Sequence, residues 1–389
     1  MHFMNLDQAF VAGTYNRFPV EIVRGKGSRV VDINGKTYVD MGSGIGVTAF
    51  GFADGAWSAA VTEQLGKVQH TSNLYYTEPC AQLARLLCEK TGMKKVFFSN
   101  SGAEANECAI KIARKYSAEK KGSGYFTIVT LVNSFHGRTL TTLAATGQDH
   151  FHRNFQPLTP GFVHVEANNA EALAKAVAEH KAAGILLECI QGEGGVNPLT
   201  PGFLAAAGAL AKEKDIPLMI DEVQTGNGRT GKLYSYMHFG LSPDIVSTAK
   251  GLGGGLPIGA TLMSEKVHEV LRPGDHGSTF GGNPVCCAGA LNILQRLDDE
   301  LLASVRSKGK YLMDTFSGAP GVESVTGMGL MLGLKTTAPA GDVVRACMEK
   351  GVLCLTAKDK IRLLPALNIP MEDLRWAAEI IKETAKELA

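Results

Sequence analysis

Between about residues 95 and 265, short β-rich runs recur with helical patterns between most of them, and this alternation limits the possible folds more than any other feature. The runs are Val96-Phe97-Phe98, Phe126 to Val129, Phe162 to Val165, Ile185-Leu186-Leu187, Pro217 to Ile220, Ile245-Val246-Ser247 and Ala260 to Met263. Most are continuously apolar rather than alternating. Strands of that kind are buried on both faces, and helical crossovers between them give a largely parallel sheet with helices on each side. The clearest helix follows Ser101-Gly102, with Ala105, Cys108, Ala109, Ile112, Ala113 and Tyr116 on one face. An α/β class is therefore expected, with a mostly parallel central sheet.

The two ends differ from this middle. Val30 to Val39 reads as a hairpin across Asn34-Gly35, and the last hundred residues mix helices such as Met371 to Leu388 with strands near Met331 to Leu334 and Ile361 to Leu364. A smaller α+β domain combining both ends is expected. The division is 1–50 as an N-terminal part of that small domain, 51–283 as the large domain, and 284–389 as the rest of the small one.

Composition narrows the functional classes. Hydrophobic residues make up 45% and charged ones 20%, which fits a packed globular protein rather than a disordered one. Lys plus Arg number 39 against 38 Asp plus Glu, a net +1, so no strong field of one sign exists to recruit nucleic acid or an anionic membrane. Small molecules and other protein chains are the expected partners. No apolar run approaches the roughly 20 residues of a membrane helix, and Met1 to Phe10 lacks the pattern of a secretory signal, so a cytoplasmic location is expected. The eight cysteines form no Cys-x-x-Cys pair and no zinc-ligand spacing, so buried thiols and no metal are expected. The 45 glycines fall in clusters, as backbone wrapped closely round a ligand requires.

Gly226-Asn227-Gly228-Arg229-Thr230-Gly231 matches a dinucleotide-binding pattern, and Lys232 nearly completes a phosphate loop. Neither context is right: Asp221 to Gln224 separates the glycines from their strand, no helical period follows, and Leu233 stands where Ser or Thr would be needed. Lys250 is more informative. It follows a probable inner strand and precedes Gly251-Leu252-Gly253-Gly254-Gly255, at the carboxyl edge where α/β sheets gather ligands. A Schiff-base lysine needs such a position. Asp221 ends another strand at the same edge, where it is either a simple cap or a partner for the protonated ring nitrogen of pyridoxal phosphate. Ser99 to Glu104 leads from a strand into a helix start, which either caps the helix or turns free N–H groups toward a phosphate.

Together these residues resemble the class III pyridoxal phosphate aminotransferases of fold type I. The resemblance runs from Tyr15-Asn16-Arg17-Phe18-Pro19 to Ile361-Arg362-Leu363-Leu364-Pro365. It rests on Ser101 to Glu107, Phe135-His136-Gly137-Arg138-Thr139, Gln191-Gly192-Glu193-Gly194-Gly195, Asp221 to Gly226 and Ala249 to Gly255. One departure is the stretch Gly51-Phe52-Ala53-Asp54-Gly55, where the family has a Gly-His-x-His-Pro-like segment.

The resemblance implies pyridoxal 5′-phosphate as cofactor, bound by the large domain 51–283. It makes Lys250 the Schiff-base lysine and proton carrier, with Asp221 on the ring nitrogen, Gln224 on the ring hydroxyl and Phe135 against the ring face. Ser101, Gly102 and Ala103 match the phosphate cup, and Thr279 matches a threonine that reaches the phosphate of the neighbouring subunit, implying a homodimer with shared sites. For substrate it implies Arg138 on the distal carboxylate, Arg362 on the α-carboxylate of glutamate, Glu193 as the interim partner of Arg362, and contacts from Tyr15 and Ser278. For His136 and Tyr15 local roles, shaping a turn and packing, remain alternatives. The implied reaction exchanges the terminal amine of N-acetylornithine with 2-oxoglutarate, giving N-acetylglutamate 5-semialdehyde and glutamate. Succinylornithine, ornithine, 4-aminobutyrate and succinyldiaminopimelate are alternative donors. The same apparatus can run an aminomutase or a decarboxylase, and a non-catalytic cofactor-binding protein is the reading from another class.

Overall fold

The computed structural model describes residues 3–389. Seven strands form the central sheet in the order Lys95–Ser99, Gly259–Met263, Ile245–Thr248, Leu218–Asp221, Ala182–Leu187, Thr127–Leu131, Phe162–Val165. Gly259–Met263 runs antiparallel to both its neighbours, and every other pairing between adjacent strands is parallel. All residues of the five inner strands are buried, which explains their unbroken apolar runs. The two edge strands are only partly buried.

Two boundaries differ from the sequence expectation for identifiable reasons. The strand expected from Pro217 begins at Leu218, because proline has no N–H to give a ladder. The one expected from Phe126 begins at Thr127, and the Phe126 carbonyl instead accepts from Arg114 Nε at 3.0 Å.

The helix Gly102–Lys121 covers one face of this sheet with the predicted stripe of Ala105, Cys108, Ala109, Ile112, Ala113 and Tyr116, all buried. Ser101 caps it, accepting from the Glu104 N–H at 3.2 Å. Because the parallel strands share one direction, the segments that leave Ser99, Leu131, Leu187, Asp221 and Thr248 emerge along one edge.

The chain ends build two further four-stranded sheets. In the first, Ile22–Lys26, Arg29–Asp32 and Thr37–Asp40 form a meander that Val352–Leu353 extends in parallel. The hairpin turn is held by Asp32 Oδ1, which accepts from the N–H groups of Asn34 and Lys36, each at 2.9 Å. The second contains Val322–Met328, Met331–Thr336, Lys360–Leu363 and Leu355–Ala357. No described helix is long and apolar enough to cross a membrane.

The Gly226–Gly231 stretch forms a succession of turns, followed by bends and the single 3₁₀ turn Ser235–His238 rather than by an α-helix. Asn227 Nδ2 donates to Thr248 Oγ1 at 3.0 Å and to the Ala249 carbonyl at 3.1 Å. Buried Arg229 donates to the carbonyls of Leu330 and Pro365, tying the central sheet's loops to the C-terminal part. These glycines thus serve the packing of the lysine-bearing edge rather than a dinucleotide.

Asp373, in the helix Met371–Glu387, links the two chain ends: it accepts from Ser28 Oγ and from Arg29 Nε at 3.0 Å and Nη2 at 2.6 Å. Burial works against its ionisation, yet Arg29 and Ser28 hold the carboxyl below its ordinary range. A lowered native value means that the stabilisation is present above the ordinary aspartate pKa and is lost as pH falls through the native one. Asp373→Asn should therefore lower unfolding free energy by about 1–2 kcal/mol at pH 7, a figure reduced because Arg29 is half exposed. Denaturant titrations should show the difference shrinking progressively as pH falls below the ordinary aspartate range.

Candidate active site

The carboxyl edge of the central sheet borders a cavity of about 620 Å³. Its wall includes Tyr15, Ser101, Gly102, Ala103, Phe135, Arg138, Asp221, Gln224 and Lys250, drawn from separate parts of the chain.

Asp221 is 3% exposed, so its carboxylate needs compensating donors. Three reach it: Asn106 Nδ2 at 2.7 Å and His136 Nδ1 at 2.8 Å on Oδ2, and the Val223 N–H at 3.0 Å on Oδ1. Since the carboxylate accepts, His136 carries its proton on Nδ1, and its buried Nε2 has no hydrogen-bond partner among the described residues. His136 therefore orients Asp221, beyond shaping the turn before Arg138. Asn106 also donates to the His136 carbonyl at 2.8 Å and accepts from Ser247 Oγ at 2.6 Å.

Lys250 opens a single 3₁₀ turn directly after the strand Ile245–Thr248, and its φ of 45° is in the left-handed region that a side chain rarely adopts. Such strain persists only where surrounding packing enforces it, and it clusters at functional sites. Burial lowers the Lys250 pKa, with Glu193 and Asp221 opposing that shift. The result is an amine that surrenders its proton more readily than a surface lysine.

Glu193 and Arg362 come from opposite parts of the chain and meet through Arg362 Nη1 and Glu193 Oε1 at 2.5 Å. Gln224 completes the group: its Nε2 donates to Glu193 Oε1 at 3.2 Å, and its Oε1 accepts from Arg362 Nη1 at 3.1 Å. Glu193 and Arg362 sit next to the cavity behind Gln224 rather than on its wall. Burial raises the Glu193 pKa, but the charge and hydrogen bond of Arg362 outweigh it and leave the carboxyl below its ordinary range. Arg362 Nε is buried without a hydrogen-bond partner among the described residues, so this guanidinium still has a donor to offer.

Glu188 is a site residue that sequence reasoning missed. It lines the cavity and accepts from the N–H of Phe135 at 3.0 Å and of Gly192 at 3.1 Å, joining the turns that carry Arg138 and Glu193. Burial, reinforced by Asp221, pushes its pKa up to about 7. A signal was available: Leu186-Leu187-Glu188 repeats the pattern of Met219-Ile220-Asp221, an acid closing an apolar inner strand. Asn106 was also missed, though a polar residue among Ala105, Cys108 and Ala109 on a buried helix face marks a group needing internal partners.

The remaining expected residues divide. Ser101, Gly102 and Ala103 line the cavity where their helix begins, and Arg138 lies over the ring of Phe151, 3.9 Å from its centroid. Tyr15 lines the cavity while largely exposed, and Arg17 lies over its ring. Thr279 and Ser278 do not line this cavity: Thr279 is exposed, and Ser278 Oγ accepts from Asn100 Nδ2 and the Gly281 N–H. The divergent stretch at 51–55 also lies off the wall. There Asp54 caps the helix Gly55–Leu65 and takes a two-pronged ion pair from Arg296 at 2.6 and 2.9 Å.

This fold, with an apolar cavity, a strained lysine and a buried aspartate at one sheet edge, is that of the family "Aminotransferase class-III", whose model matches residues 10–385. The chain belongs to that family. Among its relatives, the acetylornithine aminotransferase of Haemophilus ducreyi is 50% identical over 385 residues, covering 98% of each chain. A crystal structure of N-acetylornithine aminotransferase from Stenotrophomonas maltophilia superposes with a TM-score of 0.85 at 35% identity, covering 98% of both chains. The ornithine aminotransferase of Toxoplasma gondii, described with partial occupancy of PLP at its active site, gives a TM-score of 0.94 at 34% identity over 99% of this chain and 94% of its own.

Glu193→Gln should leave buried Arg362 without its anion and lower stability by about 2–3 kcal/mol, less than a fully buried pair would lose because Glu193 is 29% exposed. Thermal unfolding should show the loss, and glutarate should restore more stability to the variant than to the parent.

Proposed function

We propose that this chain is a pyridoxal 5′-phosphate-dependent aminotransferase that moves the terminal amino group of N-acetylornithine to 2-oxoglutarate, giving N-acetylglutamate 5-semialdehyde and glutamate. This is a step of arginine biosynthesis, carried out by a cytoplasmic homodimer. The residues present fit the cofactor's chemistry: Asp221 offers a carboxylate to a ring nitrogen, Lys250 an amine to its carbonyl carbon, and the helix start at Ser101–Ala103 its N–H groups to a phosphate. Phe135 and Val223 offer apolar walls to a flat ring. The wall leaves no room at Gly102, where a Cβ would meet Val223 Cγ1 at 2.5 Å. When bound, the cofactor supplies the electron sink that lets an amino group leave one carbon skeleton and join another.

The ion pair between Glu193 and Arg362 carries the substrate assignment. A donor that reacts through an amine at the far end of its chain brings no carboxylate to the reacting carbon. A buried Arg362 facing it unpaired would be costly, and Glu193 removes that cost. Glutamate and 2-oxoglutarate carry a carboxylate at that carbon, which takes Arg362 in place of Glu193. Arg138 holds the carboxylate at the other end in both cases. Lys250, its amine made less basic by burial, takes the proton from the reacting carbon of the donor and, in the second half of the exchange, delivers one to the reacting carbon of the acceptor. The exposure of Thr279 and Phe280, with Leu74, Tyr75 and Tyr76 exposed on a segment that Asn73 ties to the Ser278 and Gly281 carbonyls, supports its service to the site of a second copy.

The absorbance of the cofactor-loaded protein tests this reading. N-acetylornithine alone should bleach the band of the lysine-bound cofactor, and 2-oxoglutarate added afterwards should restore it. A response only to another terminal amine would overturn the donor, and no response to any amine would overturn transamination. Glu193→Ala should shift the ratio of rates with N-acetylornithine and glutamate by about tenfold toward glutamate, the scale of one pocket contact. An unchanged ratio would refute the exchange of partners at Arg362.

A further inference from the structure

The two arginines at this site are held in opposite ways. Arg362 is buried and locked to an internal carboxylate. Arg138 is exposed and makes no hydrogen bond or ion pair among the described residues. What holds it is aromatic: its Cζ lies 3.9 Å from the centroid of the Phe151 ring and 5.6 Å from that of Phe135. The two rings stand edge to face, 6.0 Å apart at an interplanar angle of 72°.

Phe151 is itself fixed from below. It closes the 3₁₀ turn Asp149–Phe151, and the next residue, buried His152, donates through Nε2 to the carbonyls of Leu143 at 2.9 Å and Thr146 at 2.8 Å. Those carbonyls belong to the end of the helix Leu140–Ala145, which begins two residues after Arg138. The arginine and the ring that faces it are thus mounted on the two ends of one short helix.

A ring contact and a carboxylate contact leave an arginine in different states. A carboxylate occupies the in-plane N–H groups and cancels the charge, so an incoming anion must displace it. A ring face attracts the guanidinium through its π-surface and leaves the in-plane donors and the charge available. The charges acting on the neighbouring His150 are cationic: burial together with Lys358, Arg138 and Arg153 lowers its pKa. The His150 ring lies with its centroid 3.8 Å from that of Phe151.

We propose that Phe151 is a positioning residue for substrate carboxylates, holding the Arg138 guanidinium by its face so that both in-plane donors remain open to a bidentate anion. It rests on the reading of Arg138 as the carboxylate-binding arginine of the reaction. Phe151 then sets the affinity for carboxylate-bearing donors and acceptors while taking no part in proton transfer at Lys250.

The cofactor-loaded enzyme tests this with Phe151→Leu, Phe151→Tyr, Arg138→Ala and the double variant Phe151→Leu/Arg138→Ala. Two substrates are compared: N-acetylornithine, and N-acetylputrescine, which has the same reacting amine but no carboxylate. Calorimetric titration with the unreactive dicarboxylate glutarate gives affinity apart from turnover. Phe151→Leu should raise KM for N-acetylornithine and weaken glutarate roughly two- to fivefold, as loss of an exposed cation–ring contact implies, with kcat nearly unchanged. KM for N-acetylputrescine should not move, Phe151→Tyr should behave as the parent, and the double variant should lose no more than Arg138→Ala alone. Equal losses with both amines, or losses that multiply in the double variant, would make Phe151 a packing residue and overturn the proposal. If Arg138→Ala itself left glutarate binding intact, the reading beneath it would fall and take the proposal with it.

Discussion

A carboxylate placed at the end of a buried strand has to be satisfied, and in this protein the satisfaction of Asp221 organises the site. Its three donors arrive from three places: the second turn of the helix Gly102–Lys121, the turn after the strand Thr127–Leu131, and the backbone just beyond Asp221 itself. Ser247, on the neighbouring strand, fixes Asn106 in turn. Losing one of these would strand charge in a low-dielectric setting, so the network holds its members in one arrangement. That arrangement brings Phe135 and Arg138 to the same cavity as Lys250, since both flank His136 on one turn.

Charge is handled in graded fashion around this anchor. Asp221 is held by directed donors, Glu188 by two backbone N–H groups that only partly offset its burial, and Glu193 by a full opposite charge. Lys250 feels Glu193 and Asp221 together, yet burial dominates. A buried amine and a buried arginine coexist because Glu193 lies close to both charges, with Gln224 bridging Glu193 and Arg362. The same logic separates the two arginines. One is neutralised by an internal carboxylate because it is buried, and the other can stay unpaired because water reaches it.

The strain at Lys250 belongs to the same design. A left-handed lysine is unfavourable on its own, and it is kept by Asn227 hooked onto Thr248 and Ala249 just before it and by the close approach of Gly253 to the Leu256 carbonyl just after. Asn227 lies in the glycine-rich turns whose pattern resembles a nucleotide loop, while Arg229 of the same turns reaches the C-terminal strands. The catalytic edge and the outer sheets are therefore mechanically continuous.

Much of this was legible in the chain itself. Apolar runs such as Ile245 to Ser247 and the small-residue stripe of Ala105 to Tyr116 declare strand and helix because burial on two faces or one imposes its own period. Lys250, Asp221 and Ser101 were recognisable as edge residues because each follows or closes such an element. What residues do to one another was not legible. Glu193 and Arg362 are 169 positions apart, and Asn106 and Asp221 are 115 apart. The hold of His136 on Asp221, the place of Gln224 between Glu193 and Arg362, the raised pKa of Glu188 and the aromatic seat of Arg138 all depend on distances across the fold. Local sequence determined which elements form and which groups stand at their ends, since propensity and periodicity act over a few residues. Only the tertiary structure decided which charges share a buried space, because electrostatic and hydrogen-bond energies follow separation in space and not along the chain.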